Sequence, residues 1–237
     1  MALVSVSEAA DRLGVNVPRI HQRIADGSLR ARRIGAQWVV DERSLLEVAE
    51  RRRAGRPLSV RSAWAVIAAS EGDDFALSSL APAERSRAAM RLRSLLDRGN
   101  VRVVDEEAAR DISIVLRSMF RNRAERRLFR AAPTDLEDLR VDQRWQAVID
   151  AAASGIASSD VEGYLAVADV ESLIKDYLLV PADDEANVVV HVVPDGQDPY
   201  PSSRLRLAAD LAEHRGPREE ARAAGLLHEL AQGRSDR

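Results

Sequence analysis

Residues 15–40 read VNVPRIHQRIADGSLRARRIGAQWVV, and this stretch decides the fold of the N-terminal part of the chain. Its first half predicts a helix, because Asn16 suits the N-cap, Pro18 suits the first turn and Gly27 suits the end of a helix. Its second half predicts two short strands, because apolar and basic residues alternate around a turn at residues 35–36. The stretch therefore predicts a helix followed by a β-hairpin.

The flanking residues extend this pattern to a winged helix-turn-helix. Residues 7–14, SEAADRLG, predict a preceding helix that Ser7 caps and Gly14 ends. Two short helices joined by a tight turn that contains glycine are typical of the helix-turn-helix. A further helix is predicted from about Asp41, after the hairpin, so the hairpin would be the wing.

The second helix of this unit presents two different faces. Val17, Ile20 and Ile24 recur with helical spacing, so we predict that they pack in the core. The opposite side carries guanidinium, amide and imidazole groups, which donate to guanine, pair with adenine or bind phosphates from the major groove. The candidate DNA-binding residues on this helix are Pro18, Arg19, His21, Gln22 and Arg23.

The hairpin explains why arginines crowd beside a tryptophan. Because a strand alternates its faces, we predict that Trp38 packs inward against the helices. Arg30, Arg32 and Arg33 are predicted to face the DNA backbone, with Gln37 near the tip of the wing as a further DNA-binding candidate. A solvated hairpin held by salt bridges is the alternative interpretation.

Residues 6–48 resemble the winged helix of the MerR and phage-excisionase superfamily. The resemblance rests on an Ala-Ala-x-x-Leu-Gly-Val opening, Ile-x-x-x-Ile in the second helix, an Asp-Gly-x-Leu turn, and Arg-x-Gly followed by Trp. The usual serine or threonine before the second helix is replaced by Asn-Val-Pro at residues 16–18. The resemblance implies binding to double-stranded DNA.

Composition excludes several classes of function. The 237 residues include no cysteine, which excludes disulfides, thiol catalysis and cysteine-ligated zinc. We expect a cytoplasmic protein without membrane contact, because neither a secretion signal nor an apolar run long enough to span a bilayer is visible. Residues 1–63 hold 12 arginines against 7 acidic residues, a net charge of +5, whereas residues 131–237 have a net charge of −11. A basic segment joined to an acidic one suggests a nucleic-acid reader attached to a second function.

The chain as a whole is predicted to be α+β, with a mixed α/β region after the winged helix-turn-helix. We divide it into a DNA-binding domain at residues 1–58, a helical region at residues 59–130 and an acidic α+β domain at residues 131–237. Within the helical region, a second helical stretch ends at Gly99 and a predicted strand follows it, an order of elements that fits a second winged helix. Its long helix would expose Arg87, Arg91 and Arg93 to DNA, or would simply be a solvated surface helix.

The C-terminal half resembles the actinobacterial antitoxins of the AbiEi abortive-infection, type IV toxin–antitoxin family. The segments that carry this resemblance are RAERRLFRAAPTDLEDLRVD at 123–142, VEGYLAVADVESLIKDYLLVP at 161–181, NVVVHVVPDGQDPYPSSRLRLAADLAEH at 187–214 and PREEARAAGLLHEL at 217–230. The resemblance implies a DNA-binding antitoxin that represses its own operon, with a nucleotidyltransferase-like toxin as its partner. A stand-alone transcription regulator with a C-terminal sensor domain is the alternative.

We expect no enzymatic activity, no cofactor and no metal. The sequence contains no nucleophile elbow, no phosphate-binding P-loop and no dinucleotide fingerprint. The four histidines, His21, His191, His214 and His228, lack the spacing of metal ligands. We predict that His191 is a hydrogen-bonded residue of an apolar strand, whereas His214 and His228 are exposed to solvent.

Overall fold

A computed structural model describes residues 3–53, 57–100, 106–147, 161–182, 185–200, 203–214 and 216–235. The chain divides into two compact units, unit 1 at Met1–Arg56 and unit 2 at Pro57–Arg237. Both units mix helices with a β-sheet, which confirms the predicted fold class. Within the described residues, no helix has the length and apolar character needed to cross a membrane.

Unit 1 is a three-stranded sheet with three helices. Its elements in chain order are β1 (Leu3–Ser5), α1 (Val6–Leu13), α2 (Val17–Ala25), β2 (Ala31–Ile34), β3 (Gln37–Asp41) and α3 (Glu42–Arg53). The strand order is β1-β3-β2, and both strand pairs are antiparallel. The sequence predicts the hairpin β2–β3 but not β1, which is three residues long and becomes a strand only by pairing with β3.

Local hydrogen bonds explain where the two helices of the helix-turn-helix begin. Asn16 caps α2 as predicted, because its side chain accepts a hydrogen bond of 3.1 Å from the backbone N–H of Arg19. The cap of α1 is Ser5 rather than the predicted Ser7, since the Ser5 hydroxyl accepts from the backbone N–H of Glu8. Gly14 ends α1 at φ +60°, a conformation that glycine adopts without strain.

The core of unit 1 contains Ile20, Leu29 and Val40, all of which are fully buried. Two residues predicted to face this core are exposed instead, namely Val17 with 39% of its surface accessible and Trp38 with 37%. Val17 is the first residue of α2, and Trp38 is one residue from the start of β3 beside the turn. Both predictions of burial were wrong. The periodicity identifies the face of the helix or strand on which a residue lies, but it does not show that another element covers that residue.

Unit 2 contains a five-stranded sheet. Its strands are β4 (Glu125–Arg130), β5 (Gln146–Ala147), β6 (Val161–Ala166), β7 (Val180–Pro181) and β8 (Val188–Val193). The order is β5-β6-β8-β4-β7, in which β6 and β8 are parallel and the other pairs are antiparallel. Every residue of the central strand β8 is buried, as expected for a strand covered on both faces.

Helices contribute most of the remaining described structure of unit 2. They are α4 (Val60–Glu71), α5 (Asp74–Ser78), α6 (Pro82–Gly99), α7 (Glu106–Phe120), α8 (Leu136–Val141), α9 (Val170–Asp176), α10 (Arg204–Glu213) and α11 (Pro217–Ser235). Short 3₁₀ helices at Pro133–Asp135 and Val167–Asp169 lead into α8 and α9. Residues 161–193 thus run from β6 through α9 and β7 to β8, and α10 and α11 follow.

One hydrophobic cluster spans both of the regions that the sequence separates at residue 130. It joins Trp64 and Leu92 of the first region to Leu207 and Leu227 of the second. The described residues between 57 and 120 form helices and loops without a strand. The strand predicted after Gly99 falls on residues 101–105, outside the described residues, so the second winged helix stays a prediction.

A buried ion pair lies at the centre of unit 2. The Arg123 guanidinium donates to Asp210 at 2.7 Å and to the Tyr164 hydroxyl at 2.7 Å. The Tyr164 hydroxyl in turn donates to Asp210 at 2.6 Å, and all three side chains are almost fully inaccessible. Burial is the main reason that the pKa of Tyr164 is well above its usual value. Arg206 also approaches Asp210, with its Nε 3.5 Å from the carboxylate.

We expect Asp210→Ala to destabilise unit 2 severely. The substitution removes the carboxylate that the buried guanidinium groups of Arg123 and Arg206 approach. Removing one partner of a buried ion pair costs about 3–5 kcal/mol. Urea unfolding followed by circular dichroism measures this destabilisation. Glu185→Ala is the matched control, since it removes the carboxylate of an exposed pair with Arg130 and should change the free energy of unfolding little. Equal effects of the two substitutions would contradict the importance of the buried pair.

Candidate nucleic-acid interface

The exposed side of α2 carries four of the five predicted DNA-binding side chains of this helix. Pro18, Arg19, His21 and Gln22 are exposed, whereas Arg23 is half-buried. Arg19 Nη1 donates a hydrogen bond of 2.9 Å to Gln22 Oε1, so the two groups are held side by side one turn apart. A guanidinium beside an amide is suited to purine edges in the major groove, because Arg donates to guanine and Gln pairs with adenine.

The turn after α2 fixes the orientation of this face. The carbonyl of Arg23 accepts from the backbone N–H of Leu29, whose side chain is buried in the core. Asp26 accepts hydrogen bonds from Ser28, and these bonds lower the pKa of the Asp26 carboxyl. The turn thus places a carboxylate just beyond the C-terminal end of α2, whereas the exposed Pro18 and Arg19 lie in its first turn.

The wing places its arginines on both faces of the hairpin. Arg32 pairs with Val39 and Arg33 pairs with Trp38 across the strands. Because successive residues of a strand point to opposite faces, Arg32 and Arg33 lie on opposite faces of the hairpin, and their contact with the DNA backbone stays a prediction. Both side chains are exposed, so the wing offers one guanidinium on each side. A wing that enters a groove between two phosphate backbones can use both.

Arg30 lies where the wing joins the body of unit 1. Its backbone N–H donates to the Ser44 hydroxyl at 2.9 Å, and its carbonyl accepts from the backbone N–H of Asp41 at 3.0 Å. Ser44 is buried in the first turn of α3, so these bonds anchor the base of the hairpin. The Arg30 side chain is exposed, as is that of Gln37 beside the turn.

The exposure of two apolar residues at the wing tip is not predicted by the sequence pattern. Ile34 is 53% exposed, and it flanks the turn at residues 35–36 opposite Gln37. Trp38, which the pattern assigns to the core, shares its face with Arg33. The sequence feature that indicates their exposure is their position beside a two-residue turn, because a hairpin has too few neighbouring residues there to bury them. The tip thus combines apolar surface with guanidinium groups, a combination that suits contact with a DNA groove.

Comparison with known families bears on this unit alone. Residues 3–53 match a family model described as a helix-turn-helix domain. The matched residues run from β1 to the end of α3, so they contain every candidate DNA-binding residue of α2 and the wing. The match indicates a DNA-binding regulator. Searches of curated proteins and of solved structures found no match to the chain.

We expect α2 to read bases and the wing to hold the backbone. Arg19→Ala and Gln22→Ala should each cost about 1–3 kcal/mol on the preferred DNA site and relax its sequence preference. Arg32→Ala and Arg33→Ala should weaken binding to all sequences similarly. They should also reduce the slope of log affinity against log salt concentration, by about 0.9 for each phosphate that is no longer neutralised. Fluorescence anisotropy with the promoter duplex and a scrambled duplex measures both effects. If the wing substitutions changed sequence preference while the helix substitutions did not, the roles would be reversed.

Unit 2 holds a separate cluster of titratable side chains around Glu162. Glu162 Oε1 lies 2.6 Å from His191 Nε2, and Glu162 Oε2 lies 2.7 Å from His214 Nε2. The second contact is an ion pair whenever the His214 imidazole is protonated. His191 is buried and hydrogen-bonded, as its strand predicts, whereas His214 is two-thirds buried against Glu162 rather than exposed. His228 is also partly buried, and its Nδ1 lies 2.7 Å from the carbonyl oxygen of Gly99.

This cluster has the donor types of a metal site, which the sequence does not predict. Ligand atoms of Glu162, His191 and Glu213 lie within 4.8 Å of one another. The two carboxylates already have partners within the protein, however, because Arg123 contacts Glu213 and two imidazoles flank Glu162. The described geometry is therefore that of a network in which each carboxylate contacts a basic side chain.

The network should make the stability of unit 2 depend on pH through His214. Contact with Glu162 raises the pKa of His214 above 6.5, so its stabilising contribution is fully present below that pH and is lost as the pH rises through the raised value. The difference in unfolding free energy between the wild type and His214→Gln should therefore shrink as the pH rises from about 6 to about 8.5. Urea titrations across this range measure it. His21→Gln, at an exposed position of unit 1, is the control, and a difference that stays constant with pH would refute the assignment.

Proposed function

We propose that the protein is a DNA-binding antitoxin that represses its own toxin–antitoxin operon. Its partners in this proposal are the double-stranded DNA of its promoter and a nucleotidyltransferase-like toxin, and we place it in the cytoplasm. The observation that carries the proposal is the exposed Arg19–Gln22 pair on α2, within the matched helix-turn-helix and beside an arginine-bearing wing. We assign the protein no catalytic activity.

Charge supports the repressor part of the proposal. Residues 1–56 have a net charge of +4, and residues 57–237 have a net charge of −7. DNA attracts the basic residues 1–56 and is repelled by most of residues 57–237, so unit 1 is the unit suited to bind DNA. A small winged reader with a paired arginine and glutamine on its second helix can occupy a promoter and block transcription.

The antitoxin part of the proposal is supported by the resemblance of the C-terminal segments to AbiEi-type antitoxins. Those segments supply β4, β6, β8, α10 and most of α11, which are core elements of unit 2. Unit 2 is thus a folded domain that has its own hydrophobic core and an acidic exterior. Such a domain is suited to act on a protein or on the pathway of a toxin, because its charge disfavours general binding to nucleic acids.

Co-expression with the neighbouring toxin gene from a foreign promoter tests this function, because it removes transcriptional control. We expect the full-length protein to restore growth, and Arg19→Ala/Arg32→Ala to restore growth equally while failing to repress a reporter under the native promoter. The fragment 1–56 should not restore growth, since it lacks all of unit 2.

Two results would overturn the antitoxin proposal. One is a full-length protein that fails to restore growth, and the other is growth restored by the fragment 1–56. If the reporter were still repressed in the first case, a stand-alone regulator with a C-terminal sensor domain would replace the antitoxin. Melting curves for each variant exclude misfolding as the cause of a negative result.

A further inference from the structure

A small groove between α4 and α6 of unit 2 is lined by three arginines. Arg61 contributes from the first turn of α4, and Arg87 and Arg91 contribute from neighbouring turns of α6. The small side chains of Ala65 and Ala88, both buried, also line it. Glu84 is the one carboxylate among its described lining residues. The lining therefore carries more positive than negative charge, in a unit whose net charge is negative.

The negative charge of Glu84 is engaged within the protein. Glu84 Oε2 accepts a hydrogen bond of 3.0 Å from the backbone N–H of Ala81, which caps the start of α6. Glu84 Oε1 accepts from Arg61 Nε at 3.2 Å, and Arg61 Nη2 lies 3.4 Å from the carbonyl oxygen of Ser79. Arg61 is consequently held at one wall. Arg87, which is exposed, and Arg91, which is half-buried, complete the basic lining of the groove.

The geometry of the groove indicates its ligand class. Guanidinium groups recognise phosphates through paired N–H donors, and two arginines one helical turn apart can contact two phosphates of one strand. Residues 57–130, which supply the groove, have a net charge of +4, whereas residues 131–237 have a net charge of −11, so a polyanion is attracted to the part of unit 2 that holds the groove. We propose that the groove binds the phosphodiester backbone of DNA, as a second contact for the DNA that unit 1 reads. This inference rests on the DNA-binding function proposed above.

DNA is favoured over an acidic protein as the occupant because the same chain already carries a DNA-binding domain. Once unit 1 holds a duplex, that duplex is present at high effective concentration for any second site on the chain. A few phosphate contacts that would be too weak in isolation then add to affinity and to its salt dependence. An acidic surface of the toxin would receive no such advantage.

Salt titrations of the full-length protein on a duplex from its own promoter test this inference. Arg87→Ala/Arg91→Ala should reduce the slope of log affinity against log salt by about 0.9 for each phosphate that the groove no longer binds. The control Arg98→Ala/Arg121→Ala removes the same charge from exposed positions outside the lining of the groove and should leave the slope unchanged. Arg87→Lys/Arg91→Lys retains the charge and should recover most of the slope. Melting curves check that each variant is folded.

The outcomes separate this inference from the proposed function. If the wild type binds the promoter and the groove variant keeps the wild-type slope, the inference is overturned and the proposed function stands. An equal decrease of the slope in the groove variant and the control would also overturn it, because net charge rather than the groove would be responsible. A groove variant that binds DNA normally and no longer captures the toxin would assign the groove to a protein partner instead. A wild type that does not bind DNA would overturn both proposals.

Discussion

The buried guanidinium of Arg123 is the constraint on which unit 2 depends. A charge at this depth is stable only where carboxylates and hydrogen-bond acceptors surround it. Asp210 on α10 and Tyr164 on β6 meet that requirement, and the backbone carbonyl of Arg123 accepts a hydrogen bond of 2.8 Å from the indole of Trp64 on α4. A single loop residue between α7 and β4 therefore fixes the sheet and helices from distant parts of the sequence in one arrangement.

That constraint also explains why residues 57–130 and 131–237 form one unit. The central strand, Val188–Val193, is buried along its whole length and needs cover on both faces. The valines satisfy this environment directly, while His191 does so by contacting Glu162 on the neighbouring strand. Helices from before and after the sheet share one cluster, so neither region retains a complete core without the other.

Features that depend on a few neighbouring residues could be predicted from the sequence. The cap at Asn16, the helix end at Gly14 and the hairpin turn each follow from side-chain chemistry within a few neighbouring positions. The exposure of Trp38 could not be predicted, because alternation gives the face of a strand without saying what covers it. The pair of Arg123 and Asp210 could not be predicted either, since 87 positions separate them and no local pattern links them.

We expect the division of charge between the units to affect the orientation of bound DNA more than the affinity for it. Charges act across roughly 8 Å at physiological ionic strength, so a duplex senses the arginines nearest its backbone rather than the net charge of the chain. In unit 1 these arginines accompany α2, the helix that we expect to read bases. In unit 2 the acidic residues lie mainly in 131–237, with a net charge of −11, whereas Arg87 and Arg91 belong to residues 57–130, with a net charge of +4. In the proposed complex, repulsion from the acidic residues would restrict how DNA lies against unit 2, in the way that unfavourable contacts generally confer specificity.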